Sequence, residues 1–187
     1  MLLNTLRFPP LRAAKTAAAA LAVSVAAVGC GAPDGDSSGD LTTSVDAPTA
    51  VNAAYLAPTE PEGAQGVGAV KESAADGDEV TVVGLIGGDS APFVDGLAAF
   101  TIVDPSVPYC AADEGCPTPW DYCCQQDKVP ANSATIKLVD GDGKLVAEGA
   151  RGLLGVEELA EVVVHGTAER DDAGNLTVLA QKVFVRN

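Results

Sequence analysis

Apolar and polar residues alternate with a period of two through short stretches of the chain, the pattern of strands with one buried face. In the first stretch Val80, Val82 and Ile86 share one face, and Gly84 on that face predicts a bulge or a tight bend. Turn residues separate the stretches. We therefore predict five strands, over residues 79–87, 97–103, 134–139, 161–169 and 176–185.

The segments between these strands predict how the strands connect. A short helix is predicted over residues 153–160, and the glycine- and aspartate-rich segment 171–175 predicts a hairpin turn. Three strands, a short helix and two more strands is the order of the OB-fold, a partly open five-stranded Greek-key barrel. The predicted fold is an all-β, OB-like barrel with one short helix and a long cysteine-containing loop. A small β-sandwich is the alternative, but it requires more strands than the pattern supplies.

The amino terminus has the charge order of an export signal. Three cations, Arg7, Arg12 and Lys15, precede an apolar run over residues 16–28, and no acid occurs before Asp34. This run of 13 residues is shorter than the roughly 20 that a transmembrane helix needs. We therefore predict a secretory signal peptide over the first 29 residues.

The end of this signal resembles the lipobox of bacterial lipoproteins. Gly29 and Cys30 match that motif, whereas Ala27 and Val28 depart from its usual residues. The resemblance implies cleavage before Cys30, attachment of a diacylglyceryl group to its thiol, and a lipoprotein that carries palmitate. Gly31 is not the aspartate associated with inner-membrane retention, which favours the outer membrane. The alternative is ordinary cleavage that leaves Cys30 as a spare thiol.

The rest of the chain divides by composition. Residues 30–66 are rich in Gly, Ala, Asp, Ser, Thr and Pro without apolar periodicity, which predicts a flexible tether, whereas residues 67–187 have the size of one domain. The full chain has a formal net charge of −15, and removal of the signal takes away cations alone. Such a charge repels phosphate backbones, so we expect no nucleic-acid partner.

The loop before the third predicted strand contains Cys110, Cys116, Cys123 and Cys124 with the spacing Cys-x5-Cys-x6-Cys-Cys. In an oxidising compartment the first interpretation is two disulfides that brace the loop, with no cofactor. Bonding between neighbouring Cys123 and Cys124 would strain the backbone, so either of the other two connectivities is expected. The alternatives are a thiolate site for Zn²⁺ or Cu⁺ and a redox-active vicinal pair.

Aromatic residues lie between these cysteines. Trp120 and Tyr122, with the prolines before them, predict a possible binding surface at the loop tip, and a cap on the open end of the barrel is the alternative for Trp120. His165 is the only histidine and falls on the outward face of its strand. No catalytic sequence motif accompanies it, so we expect a binding protein and not an enzyme.

Two strand segments carry a resemblance to known proteins. Residues 78–84, Asp-Glu-Val-Thr-Val-Val-Gly, and residues 162–167, Val-Val-Val-His-Gly-Thr, look like the first and fourth strands of bacterial OB-fold domains. Over residues 76–187 the chain is similar to uncharacterised acidic OB-like lipoproteins of the planctomycete type. This resemblance implies an envelope protein anchored to the membrane by its lipid, whose domain binds an unidentified envelope protein or small ligand.

Overall fold

The computed structural model describes residues 50–186. The predicted signal peptide and Cys30 lie outside the described residues. Six strands and three short α-helices form the framework. The strands are β1 (Gln65–Gly66), β2 (Glu79–Ile86), β3 (Ala99–Val103), β4 (Ser133–Leu138), β5 (Glu161–Arg170) and β6 (Leu176–Val185). The helices are α1 (Ala50–Tyr55), α2 (Val67–Ser73) and α3 (Ala150–Leu154).

Five of the strands close into a barrel. The pairing runs β2-β3-β4-β6-β5 and returns from β5 to β2, and the β4–β6 pairing is parallel while the other pairings around the barrel are antiparallel. This closed order confirms the predicted all-β OB-like barrel. It also excludes the β-sandwich alternative, because one sheet bonded back to itself does not form two facing layers.

The barrel interior follows the predicted alternation. Val82 and Ile86 on β2, with Phe100 and Ile102 on β3, are fully buried, and Ile136 is buried opposite them on β4. Two adjacent residues on β5, Val163 and Val164, are both fully buried, so this strand is covered on both faces.

The bulge predicted at Gly84 lies elsewhere. The register of β2 with β5 runs through Gly84 without a shift, and the irregularity lies between His165 and Gly166, where β5 pairs with β6. Gly84 instead allows the Ile102 side chain of β3 to pack closely against β2, because a Cβ at Gly84 would lie 2.9 Å from that side chain. The prediction of a bulge at Gly84 was wrong because glycine permits either a bulge or a close contact, and sequence alone does not distinguish them; the alternative of a tight bend stays a prediction.

The segment before the barrel packs on it, which corrects the predicted tether boundary. Leu56 pairs with Val183 of β6, Tyr55 contacts the core, and β1 pairs in parallel with β2. Residues 50–66 therefore belong to the domain, and the predicted tether can extend at most over residues 30–49, which are not described. Composition did not reveal this because a few apolar side chains suffice to attach a short segment to an existing sheet.

The helix α2 was not predicted, and α3 begins and ends earlier than the prediction. Buried Val67 and Val70 attach α2 to the core, and the carboxylate of Asp104 accepts the Gly68 N–H at 2.9 Å near the start of this helix. For α3, Gly155 adopts φ 67° and ends the helix, although the apolar pattern continued to residue 160. Among residues 50–186, no helix has the length and apolar character needed to span a bilayer.

Candidate metal centre

The cysteine loop connects β3 to β4 over residues 104–132 and contains four single-turn 3₁₀ helices. They are Ala112–Glu114, Pro119–Asp121, Cys123–Gln125 and Val129–Ala131. Such short turns fix the chain locally without a regular helix or strand. The loop is therefore a compact structure of its own, attached to one end of the barrel.

A small apolar cluster holds the loop against the barrel. Tyr122 is fully buried with Val103, Val107 and Val129. Burial raises the pKa of Tyr122 to about 12, so its hydroxyl stays protonated. The prediction that Tyr122 belongs to a binding surface is wrong, because its ring fills the space beneath the loop.

Trp120 contacts the loop that joins β2 to β3. Its carbonyl accepts the Gly88 N–H at 2.8 Å, and its indole Nε1 donates to the Ser90 carbonyl at 3.3 Å. A Cβ on Gly87 would lie 2.5 Å from the same Trp120 carbonyl oxygen, so glycine is needed for this close approach. Trp120 is partly exposed, and its place against the β2–β3 connection agrees with the alternative of a cap over the end of the barrel.

The turn before Cys123 is stabilised by Asp121. One carboxylate oxygen accepts the Thr118 hydroxyl at 2.6 Å and the other accepts the Cys123 N–H at 2.8 Å. The Thr118 hydroxyl is the main cause of the lowered pKa of Asp121. Tyr122 then adopts a left-handed conformation with φ 55°. The chain reverses at this residue, and Cys123 and Cys124 face Cys110 and Cys116.

The four sulfur atoms form one group. All four Sγ atoms lie within 4.8 Å of one another. Cys123 Sγ is 2.9 Å from Cys116 Sγ and 3.2 Å from Cys110 Sγ. Cys124 Sγ is 3.8 Å from Cys116 Sγ and 3.9 Å from Cys123 Sγ. The structure therefore brings together all four predicted cysteines.

These sulfur–sulfur separations can be compared with those in a disulfide and in a zinc site of four thiolates. A disulfide bond joins its sulfurs at about 2.05 Å, and in this structure all four cysteines are free thiols. A single Zn²⁺ with four thiolates at about 2.3 Å separates those sulfurs by about 3.8 Å along each tetrahedral edge. Two of the observed separations already match that edge, and Cys123 lies near two possible bonding partners without selecting one.

Hydrogen bonds within the group shift the pKa values of three of the thiols, Cys110, Cys123 and Cys124. The backbone N–H of Cys124 and then the side chain of Cys123 lower the pKa of Cys110. The pKa of Cys123 is raised, first by its hydrogen bond with Cys116, and that of Cys124 is raised to about 11, first by its hydrogen bond with Cys110. Cys110 thus ionises before Cys123 and Cys124, and hydrogen bonds from its neighbours stabilise its thiolate.

Exposure also differs among the four cysteines. Cys110 is 2 % exposed, Cys116 is partly exposed, and Cys123 and Cys124 are exposed. Cys110 therefore lies on the buried side of the sulfur group, and Cys123 and Cys124 lie on its solvent-exposed side. An ion at its centre would be held from within the loop and remain accessible from outside.

His165 lies away from this group, on the outer face of the barrel. Its Nδ1 is 3.0 Å from the Thr81 hydroxyl and its Nε2 is 3.0 Å from a Glu79 carboxylate oxygen. Thr81 is the direct cross-strand partner of His165, and Glu79 lies two residues before it on β2. Strand pairing therefore places the Thr81 hydroxyl, the His165 imidazole and the Glu79 carboxylate in one row. The sequence did not reveal this row because the register of β2 with β5 was unknown.

The comparisons with known proteins gave no matching family model and no matching curated relative for this chain. The site is therefore interpreted from its own chemistry.

Proposed function

We propose that this protein is a lipid-anchored component of the bacterial envelope whose OB-like domain binds a soft metal ion, Zn²⁺ or Cu⁺, through Cys110, Cys116, Cys123 and Cys124. The observation that carries the proposal is the convergence of the four Sγ atoms into one group less than 5 Å across. Thiolates select soft and borderline ions, and a four-sulfur tetrahedral set is typical of Zn²⁺.

The surroundings of the sulfurs support a metal site. The Cys124 backbone N–H lowers the pKa of the Cys110 thiol, and the Asp121 carboxylate accepts the Cys123 N–H at 2.8 Å. Groups that hold metal ligands in position in this way commonly raise metal affinity and stabilise one ligand geometry. On this proposal the protein is a binding module, and the barrel is the support that keeps the loop folded.

The second candidate function is a binding domain for an envelope protein or a small ligand, with the loop braced by two disulfides. Two separations favour it, because Cys110–Cys123 at 3.2 Å and Cys116–Cys124 at 3.8 Å together form one of the two expected connectivities. Disulfides are also common in exported proteins. On this candidate the cysteines stabilise the loop and the ligand binds elsewhere.

The placement in the envelope is supported by the amino-terminal sequence. Three cations, an apolar run and then Gly29-Cys30 are the pattern of an exported lipoprotein. We expect radioactive palmitate to label the protein in cells and the Cys30→Ser variant to remain unlabelled. Label in the variant, or none in the parent chain, would contradict the anchor.

The thiol state of the protein as the cell makes it distinguishes the two candidates. The full chain is purified in detergent without oxygen, alkylated with and without prior removal of metal by a chelator, and weighed by mass spectrometry. The metal site predicts one ion per chain and four cysteines that become fully reactive only after chelation. Two disulfides would instead leave these cysteines unreactive until a reductant is added.

Single substitutions locate the ligands. We expect each of the four Cys→Ser variants to lower metal affinity, with the largest loss for buried Cys110. Ala111→Ser is the matched control, because it places the same side chain next to Cys110 without removing a sulfur. Equal binding by the Cys110→Ser variant and the control would refute the site.

A further inference from the structure

Two of the thiols at the proposed metal site are also placed to bond to each other. Cys116 Sγ and Cys123 Sγ are 2.9 Å apart, whereas sulfurs bound to one tetrahedral Zn²⁺ are about 3.8 Å apart. A disulfide joins its sulfurs at about 2.05 Å, so this pair must approach by about 0.9 Å to form one. The ion and the disulfide therefore require opposite movements of the pair, and formation of the disulfide removes two ligands from the ion.

Solvent access distinguishes this pair within the sulfur group. Cys123 is exposed and Cys116 is partly exposed, so a dissolved oxidant reaches both thiols. Cys110 lies 3.2 Å from Cys123 but is only 2 % exposed. Cys124 lies 3.8 Å from Cys116, and a bond between neighbouring Cys123 and Cys124 would strain the backbone. Cys116 and Cys123 are therefore the pair that combines close approach with access from solvent.

A change in the bonding of these sulfurs stays within the loop. All four cysteines come from the connection between β3 and β4, and the barrel core contains none of them. The buried Tyr122 ring holds the loop against the barrel through a separate apolar cluster, which also contains none of the four. The barrel therefore stays folded when the ion leaves, and the loop can bind an ion again after reduction.

Resting on the proposed soft-metal site, we infer that this site is regulated by oxidation: a peroxide joins Cys116 to Cys123 in a disulfide and thereby releases the ion. One thiolate attacks the peroxide, whose O–O bond breaks to give a sulfenic acid and hydroxide. The second thiolate attacks the sulfenic sulfur, so the S–S bond forms as the S–O bond breaks and a second hydroxide leaves. The two thiolates supply the two electrons that reduce the peroxide, and two protons convert the hydroxides to water. A dithiol reductant reverses the step by thiol–disulfide exchange and becomes a disulfide itself.

The test begins with the full chain, reduced, purified in detergent without oxygen and loaded with Zn²⁺, which peroxide does not oxidise. Hydrogen peroxide is added in steps, pyridylazoresorcinol measures the released Zn²⁺, and peptide mapping by mass spectrometry locates the disulfide. We expect Zn²⁺ affinity to fall at least about 100-fold as the Cys116–Cys123 disulfide forms, because two of the four ligands are lost. Reduction by dithiothreitol, followed by its removal, should restore the original affinity.

Two variants, each lacking one of the sulfurs close to Cys123, identify the pair in the metal-free reduced chain. We expect Cys110→Ser to form the Cys116–Cys123 disulfide at the rate of the parent chain. Cys116→Ser should form a disulfide at least about tenfold more slowly, because the remaining neighbour, Cys110, is buried and must approach by about 1.2 Å. Cys123 should then accumulate as a sulfenic acid that dimedone labels.

Several results would contradict this regulation. Zn²⁺ that stays bound while peroxide is consumed, release without a disulfide, a disulfide mapped to another pair, or equal rates in the two variants would each overturn the redox inference and leave the metal site standing. Failure of the reduced parent chain to bind either Zn²⁺ or Cu⁺ would overturn both proposals.

Discussion

Replacement of Gly87 by alanine tests whether the cysteine loop is held by its contact with the barrel. Gly87 does not have a positive φ, so alanine is compatible with its backbone conformation. The added Cβ would however lie 2.5 Å from the Trp120 carbonyl oxygen and 3.0 Å from the Tyr122 ring. Ordinary contacts begin near 3.4 Å, so the Trp120 peptide must move away by about 0.9 Å.

The expected change in the free energy of unfolding follows from the contacts that this movement of the Trp120 peptide disturbs. The Trp120 carbonyl also accepts the Gly88 N–H at 2.8 Å, and loss of such a bond costs about 1 kcal/mol. Displacement of packed backbone and of the fully buried Tyr122 ring adds about 1–3 kcal/mol. We therefore expect Gly87→Ala to lower the free energy of unfolding by about 2–4 kcal/mol in total.

Chemical denaturation of the metal-free protein measures this change, and chelator competition measures the accompanying loss of metal affinity. Gly141→Ala is the matched control, because a Cβ there meets no atom within 4 Å and its φ is not positive. The control is expected to be unchanged or slightly more stable. A Gly87→Ala protein as stable as the control, with full metal affinity, would refute the proposed attachment of the loop.

Three further predictions concern single groups near the site. Tyr122 Oη has no hydrogen-bond partner among the described residues, so Tyr122→Phe should stabilise the protein by about 1–3 kcal/mol in thermal unfolding. Burial raises the pKa of Asp104, but hydrogen bonds from Ser106 and Gly68 outweigh it and lower the pKa below 3.8. This carboxylate therefore stabilises the fold at neutral pH and ceases to do so as pH falls through its lowered pKa. Asp104→Ala should lower the free energy of unfolding by about 1–2 kcal/mol at neutral pH and by less in strong acid. Chemical denaturation at each pH measures this difference. The raised pKa of Cys124, about 11, means that protons compete with the metal at neutral pH, so Zn²⁺ affinity measured by chelator competition should rise steadily with pH.

Each of these three predictions has an outcome that contradicts it. A less stable Tyr122→Phe protein would show that the hydroxyl has a stabilising partner. A cost of Asp104→Ala that stays constant into strong acid would mean that the carboxylate charge is not what stabilises α2 and the loop. Zn²⁺ affinity independent of pH near neutrality would mean that the thiols are not displacing protons when the ion binds.

The barrel could be predicted because residues close together in the sequence determine its strands and its hairpin turn. Alternation along β2, β3 and β4 identified the inward side chains. The turn residues at 171–175 identified the β5–β6 hairpin, and in the structure the Asn175 N–H donates to the Asp171 carboxylate across this turn. These features are set by neighbours along the chain, so a sequence pattern records them.

The departures have physical causes that the sequence pattern does not record. The helix α2 has only seven residues and is stabilised by the buried Val67 and Val70 and by Asp104, which lies far along the chain. The end of α3 is set by the left-handed Gly155, which interrupts an apolar pattern that continues beyond it. In both cases tertiary contacts or a single backbone conformation outweighed helix propensity.

The arrangement of the site was only partly predictable. Four cysteines and one tryptophan in one loop identified the loop as the candidate site, but the convergence of the cysteines depends on Tyr122 adopting a left-handed backbone, which non-glycine residues seldom do. Burial of the Tyr122 ring stabilises that conformation, and the sequence gives no sign of it. The cysteine spacing alone therefore left disulfides, metal and redox chemistry as open alternatives.

X-ray absorption spectroscopy at the edge of the bound metal tests the central claim most directly, on the full chain purified in detergent without oxygen. The account predicts one ion per chain with a first coordination shell of three or four sulfurs at about 2.3 Å and no lighter ligand. A shell of nitrogen or oxygen atoms, or metal at well below one ion per chain in protein whose four loop cysteines are oxidised, would contradict it.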